Sequence, residues 1–484
     1  MAFGFFKKAE SADLILTNGS VYTADANALW AEAVAVKDGK IIAVGDADSI
    51  ETLAAAETEI IDLENGFLLP GFIETRGTPV LRAFDGEYLM ISEDYDMTEI
   101  QDALHDFIED EPQREVYFAV GFNETVNNKM NLEEKKDALD AVCREKPVVL
   151  LSASGLAVWM NSCAAEMLAE AAEQDQVKNM TISYIMSVFA CLDFEAIERN
   201  IMEIAGMYCE KGVTSVMNVG SIDYFDGIYQ DILLSYASQG MLKQRLFGSL
   251  FVNRAASPHL VVQKLRQRKT NCNEIEWGIE FRALYLDISE KSGFFKPEEN
   301  RVKEGENSGL LTALVKETAD AGFDIHIETQ SMQDAFKAVR AMEAAISAGY
   351  KKNVFAVACE EGFSQEDFAD TMLGENITKA PIASRKDGAF MLSALDTAKT
   401  IAEAIDALTI DAAVLLGKED EIGSITVGKA ADFAVFEENP FELTNFAAFR
   451  RCTAVMTIVN GQVVYDKEED NRSEWYELMT GMYL

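Results

Sequence analysis

Histidine is what this chain lacks most. Only His105, His259 and His326 occur in 484 residues, and they lie far apart in sequence. Any imidazole-rich metal centre must therefore be built from very few ligands. Cysteine is present but unpatterned. The seven cysteines, at 143, 163, 191, 209, 272, 359 and 452, are odd in number, scattered and without a C-x-x-C pair. That excludes a disulfide framework and is the expectation for reduced, cytoplasmic thiols. Eight prolines leave no room for long Pro-rich linkers. No apolar run approaches the ~18 residues of a membrane span, and Met1-Ala-Phe-Gly-Phe-Phe-Lys-Lys8 is too short for a secretory signal. Positive charge is scarce as well: 42 Lys and Arg face 82 Asp and Glu, for a formal charge of −40. Such a surface repels phosphate backbones and anionic headgroups, so neither nucleic acid nor membrane is expected as a partner. A glycine-rich phosphate loop and a serine nucleophile elbow are also missing.

What remains is ample material for a folded core, with 49% of residues apolar. At ~150 residues per domain the length suggests about three domains, or one large barrel and a smaller unit. The N-terminal stretch reads as short strands and turns. Asp13–Thr17, Asn18-Gly19 and Val21–Thr23 suggest one hairpin, and Ala33–Val36, Asp38-Gly39 and Ile41–Val44 a second. The same texture returns near the C-terminus, in Ala431–Phe436 and in Ala454–Val459, Asn460-Gly461 and Gln462–Tyr465. Both ends are therefore expected to complete one β-domain. In between, apolar runs at Val116–Val120, Pro147–Leu151, Thr214–Met217, Phe281–Leu286, Asp324–Ile327 and Val354–Ala358 alternate with helical stretches at Phe194–Glu210, Gly309–Ala321 and Gln333–Ala348. This alternation implies a parallel sheet with helices outside it, an α/β fold.

Several phrases together resemble the amidohydrolase superfamily, and within it the family-3 branch of metal-dependent hydrolases of non-peptide C–N bonds. They are Ala12-Asp-Leu-Ile-Leu-Thr-Asn-Gly19, Ala33-Val-Ala-Val-Lys-Asp-Gly-Lys-Ile-Ile-Ala-Val-Gly45 and Leu69-Pro-Gly-Phe-Ile73 at one end. At the other stand Leu408-Thr-Ile-Asp-Ala-Ala413 and Glu421-Ile-Gly-Ser-Ile-Thr-Val-Gly-Lys-Ala-Ala-Asp-Phe-Ala-Val435, with Trp159-Met-Asn-Ser162 and Gly212-Val-Thr-Ser215 in family order between them. The resemblance implies a distorted (β/α)8 TIM barrel over 70–422, with an inserted segment at about 79–210. It also implies a small β-sandwich built from 11–69 and 423–470, and a tail at 471–484.

Fold does not carry activity, so the site is read separately. Where the family has a metal-binding His-x-His, this chain has Arg76 and Thr78, following Glu74. A guanidinium is permanently cationic and cannot ligate a cation. The family's bridging lysine aligns with Ala283, close to Asp287; one later histidine keeps its place as His326, while the next becomes Cys359. The catalytic aspartate position is Arg385, two residues before Asp387. The resemblance thus implies loss of the standard metal-dependent hydrolysis, with no metal or other cofactor expected. The expectation is a binding, regulatory or assembly protein, forming a homo-oligomer, whose Arg76 and Arg385 take a small anionic ligand. The alternative is an active hydrolase of amide or N-acyl amino acid type, with one zinc or similar ion held by His326 and Cys359 and a third ligand from Glu74, Glu328, Asp287 or Asp387. A third reading makes both arginines counter-charges for Glu74 and Asp387.

Overall fold

The structure, a computed structural model, describes residues 11–177, 180–221, 223–272, 278–288, 294, 304–363, 366–368, 370–374, 376–381, 392, 395 and 398–470. Arg385, Asp387 and the tail at 471–484 lie outside the described residues. No helix among the described residues is long and apolar enough to cross a membrane.

Two β-sheets pack over a shared apolar core that includes Leu16, Val34, Leu68, Phe433 and Ile458. One has four strands, in the order Lys40–Gly45, Ala33–Lys37, Leu14–Thr17, Glu59–Asp62. The other has six, in the order Gln462–Asp466, Met456–Val459, Phe433–Phe436, Phe67–Pro70, Ser20–Tyr22, Trp30–Ala31, and so draws on both ends of the chain. Two of the three expected hairpins form. Asp38 (φ 48°) with Gly39 (φ 72°), and Asn460 (φ 52°) with Gly461 (φ 77°), place both central residues at positive φ, which matches the twist of the strands they join. The two turns also meet. A Cβ on Gly39 would stand 2.7 Å from the Asn460 Oδ1. The first expected hairpin is corrected: Leu14–Thr17 and Ser20–Tyr22 sit in different sheets. At Asn18-Gly19 the chain crosses from one layer to the other, because each strand finds its partners elsewhere.

Pro70 ends the strand Phe67–Pro70 of the six-stranded sheet, and Gly71 leads directly into the barrel strand Phe72–Gly77. A Cβ at Gly71 would lie 2.2 Å from the Thr214 Oγ1, so no other residue fits this passage. The barrel sheet describes seven parallel strands in the order Thr378–Lys379, Phe355–Cys359, Asp324–Thr329, Ile279–Asp287, Arg245–Val252, Val213–Asn218, Phe72–Gly77. Parallel strands are covered on both faces, hence their near-continuous apolar runs. Helices Phe194–Glu210, Asp223–Ser238, Pro258–Cys272, Glu304–Asp320 and Met332–Ser347 form the outer layer. The last of these buries Ala335, Ala338, Val339, Met342 and Ala345, a stripe at helical spacing. Its start is capped by the Ser331 hydroxyl, which accepts from the Asp334 N–H at 3.2 Å.

Two of the apolar runs read as part of the alternating middle do not join this sheet. Tyr117–Phe122 and Val148–Ser152 pair with each other, and with Leu89–Met90 and Val158–Met160, in a separate four-stranded sheet. Apolar content cannot distinguish two buried sheets; only pairing does. Conversely, Arg245–Val252 joins the barrel although it was not among the expected strands.

Candidate functional site

The site grows out of an irregular first strand. Phe72–Gly77 pairs with Val213–Asn218, but the register slips between Val213 and Ser215 and again between Val216 and Asn218. Irregularities of this kind re-aim side chains. Glu74 and Arg76, two apart, would share a face in a regular strand. Here Glu74 lies on the helix side, where its charge helps raise the Tyr208 hydroxyl pKa behind the larger effect of burial. Its Oε1 accepts from the Arg76 backbone N–H at 2.9 Å. The Arg76 side chain instead reaches Tyr285, with the guanidinium carbon 4.8 Å from the ring centre. Two strands separate Phe72–Gly77 from Ile279–Asp287 in the sheet, so this contact spans the barrel interior.

Tyr285 faces His326 in register, and Asp287 faces Glu328 one step further along. Side chains alternate along a strand, so these four share one face, with Ala283 a layer below. Ala283 packs with Ile73, Met217 and Phe247. The Tyr285 hydroxyl donates to the Glu328 carboxylate. Glu74, Arg76, Thr78, Asp287, His326 and Glu328 are all buried. Thr78 precedes the short helix Pro79–Ala83 without capping it through its side chain.

Arg76 is 1% exposed. Among the described residues, none of its Nε, Nη1 and Nη2 atoms has a hydrogen-bond partner. A buried guanidinium loses hydration worth several kcal/mol, and a cation–π contact of about 2 kcal/mol recovers only part of it. His326 is equally buried, and its Nδ1 has no partner among the described residues either. Burial first, then the Arg76 and Arg282 charges, push its pKa well below the ordinary histidine value, so the imidazole is neutral. Arg282 itself pairs with Asp324, Nη2 to Oδ2 at 2.8 Å, on the strand carrying His326.

His326 and Cys359 do not converge. Cys359 faces Thr329, and its neighbour Ala358 faces Glu328, so Cys359 points away from the interior face. It packs in the outer core with Phe363 and Phe368, and its Sγ donates to the Gln330 carbonyl at 3.4 Å. Among the described residues no group of three or more His, Cys, Asp and Glu is placed to hold a metal ion. With a guanidinium in the first ligand position and His326 parted from Cys359, the donor set does not fit the metal centre that the resemblance implies. Sequence reasoning had overlooked Tyr285. Its place midway between Ala283 and Asp287, on the same alternation, was the available signal.

Residues 383–465 match the family model described as amidohydrolase family. The Exoenzymes regulatory protein AepA of Pectobacterium carotovorum subsp. carotovorum is 25% identical over 371 residues, covering 70% of this chain and 79% of that protein. The N-substituted formamide deformylase of Arthrobacter pascens is 25% identical over 162 residues, 32% of this chain and 29% of the deformylase. Among solved structures, an uncharacterized metal-dependent hydrolase from Pyrococcus horikoshii OT3 superposes with a TM-score of 0.53 at 14% identity, covering 89% of this chain and 98% of that one.

Proposed function

From the premise that the chain belongs to the amidohydrolase superfamily, by its barrel-and-sandwich fold and its matched segment 383–465, we propose that it is a ligand-binding member without the standard metal-dependent hydrolysis. Its barrel holds a small carboxylate on Arg76, and the protein serves in regulation or assembly. One observation carries this reading: a fully buried guanidinium whose three nitrogens lack partners among the described residues. A carboxylate supplies what is missing, since its two oxygens accept the planar fork of N–H donors as charge-assisted hydrogen bonds worth about 1.5–3 kcal/mol each. Asp287 and Glu328 share the interior face across from Arg76. Their charges favour a singly charged carboxylate over a phosphate dianion.

Similarity to a regulatory protein over most of both chains supports a role other than hydrolysis. Seven free cysteines are in keeping with a cytoplasmic location, which belongs to the same proposal, as does a homo-oligomeric state that light scattering will test.

The test is calorimetric titration of the full chain with acetate and with inorganic phosphate, beside metal analysis of protein purified without chelators. Acetate should bind, more tightly than phosphate, with an affinity that falls as salt is added. Arg76→Gln should abolish the binding. Stoichiometric zinc, manganese or iron, or acetate binding unchanged in Arg76→Gln, would overturn the reading. Hydrolysis of formamides or N-acyl amino acids by the purified protein would establish the alternative instead.

A further inference from the structure

A cavity of about 970 Å³ lies beside the end of the barrel strand Arg245–Val252, and Arg76, Tyr285 and His326 are not among its lining residues. Its walls come from the loop 154–156, the helix Ile182–Phe189, the helix Asp223–Ser238 and the end of the strand Arg245–Val252 with the turn that follows. Met186, Tyr224, Ile228, Leu250 and Val252 make the lining mainly apolar. Three lining residues are apolar and open to solvent at once: Leu156 (69% exposed), Leu260 (57%) and Phe194 (54%). Large exposed apolar side chains gathered at a concave opening mark a binding site more often than a plain surface. Phe251 also lines this cavity, and its ring centre lies 6.2 Å from that of Tyr285 in the site described above.

Against this apolar wall stands one half-buried cation. The Arg254 Nη2 donates to the Ser154 carbonyl at 2.8 Å. No carboxylate among the described residues pairs with it, although acidic residues outnumber basic ones almost two to one in the chain. Glu124, whose charge acts on Arg254, accepts from the Ser154 hydroxyl instead, and the cavity lining also carries one carboxylate, Asp231, and a second cation, Lys264. Burial lowers the Arg254 pKa while Glu124 partly restores it, as expected of a desolvated guanidinium without a close counter-ion. The overall charge of −40 does not forbid an anion here. At physiological ionic strength, charges beyond about 8 Å are largely screened, so the adjacent guanidinium dominates.

We propose that this cavity is a second ligand site for an amphipathic monocarboxylate, its apolar body against Met186, Leu250 and Val252 and its carboxylate on Arg254. The proposal is independent of the Arg76 site and survives its failure.

Calorimetric titration of the full chain with hexanoate, octanoate and decanoate provides the test, with decanol as the uncharged probe of equal length. Affinity should rise roughly fourfold per added methylene. Decanoate should bind at least tenfold more tightly than decanol. Arg254→Gln should weaken decanoate binding by about tenfold or more, the loss of one charge-assisted contact. Because Arg254 also holds the loop at Ser154, a second variant acts from the opposite wall: Ser187→Trp fills the cavity from an exposed helical position. It should reduce decanoate affinity by a similar factor. The proposal is overturned if decanoate fails to bind at millimolar concentration or if decanol binds equally well. Decanoate binding untouched by both substitutions, as it would be were the ligand held by Arg76, would overturn it too.

Discussion

Acid should destabilise this barrel through one residue, His326. Its imidazole is buried, its Nδ1 has no partner among the described residues, and burial together with Arg76 and Arg282 holds its folded-state pKa well below the ordinary value. In the unfolded chain it titrates near 6.5. As pH falls through that value the unfolded state takes up the proton first, so protonation draws the equilibrium toward unfolding. The stability associated with the neutral imidazole is complete above about pH 6.5 and is lost on acidification below it. The loss grows as pH falls below 6.5, by at most about 1.4 kcal/mol for each unit, until the folded imidazole takes up its own proton. Carboxyl groups at Glu87, Asp324 and Asp411, whose pKa values burial raises, titrate the other way and would blur the wild-type curve. A difference between wild type and His326→Asn removes them. The assay is urea unfolding at about pH 7.5, 6.5 and 5.5, read by hydrogen exchange of segment 324–329 so that the barrel itself is followed. Wild type should lose more stability than the variant between the highest and lowest pH, by up to about 1.4 kcal/mol. Saturating acetate should shrink this difference, because an anion on Arg76 cancels one of the two charges opposing imidazole protonation. Parallel pH profiles for the two proteins, or a wild type that gains relative stability in acid, would refute the reasoning.

Other perturbations have equally definite outcomes. Arg245→Met removes both guanidinium contacts to Asp432, at 2.6 and 3.1 Å, leaving a 4%-exposed carboxylate with the Asn460 N–H; a loss of about 3 kcal/mol should appear in urea midpoints. Gly39→Ala, at φ 72° and facing the Asn460 Oδ1, should cost about 1–3 kcal/mol and raise exchange at both hairpin turns. Deleting 431–484 removes strands that pair with Phe67–Pro70, so amides of 67–70 should lose protection; full protection in the truncated chain would show that the N-terminal segment folds alone. Elemental analysis of Cys359→Ala should match wild type, since the thiol lies on the far side of the strand from His326.

Local chemistry was legible in the residues themselves. Asp38-Gly39 and Asn460-Gly461 form their turns because both central positions need positive φ, a requirement met within two residues. The helix Phe194–Glu210 follows from its own apolar period, and the replacement of ligand histidines by Arg76 and Thr78 needs no coordinates to be seen. Pairing was not legible, because strand partners are distant in sequence and a strand's own pattern does not name them. Tertiary structure alone placed Leu14–Thr17 and Ser20–Tyr22 in different sheets, and Tyr117–Phe122 outside the barrel. The same holds for the site. A register slip beside Arg76 parts its side chain from Glu74, and a one-residue offset puts Cys359 opposite the face of His326. In a structure of period two, a shift of one residue exchanges core for pocket, and only the assembled sheet determines that shift.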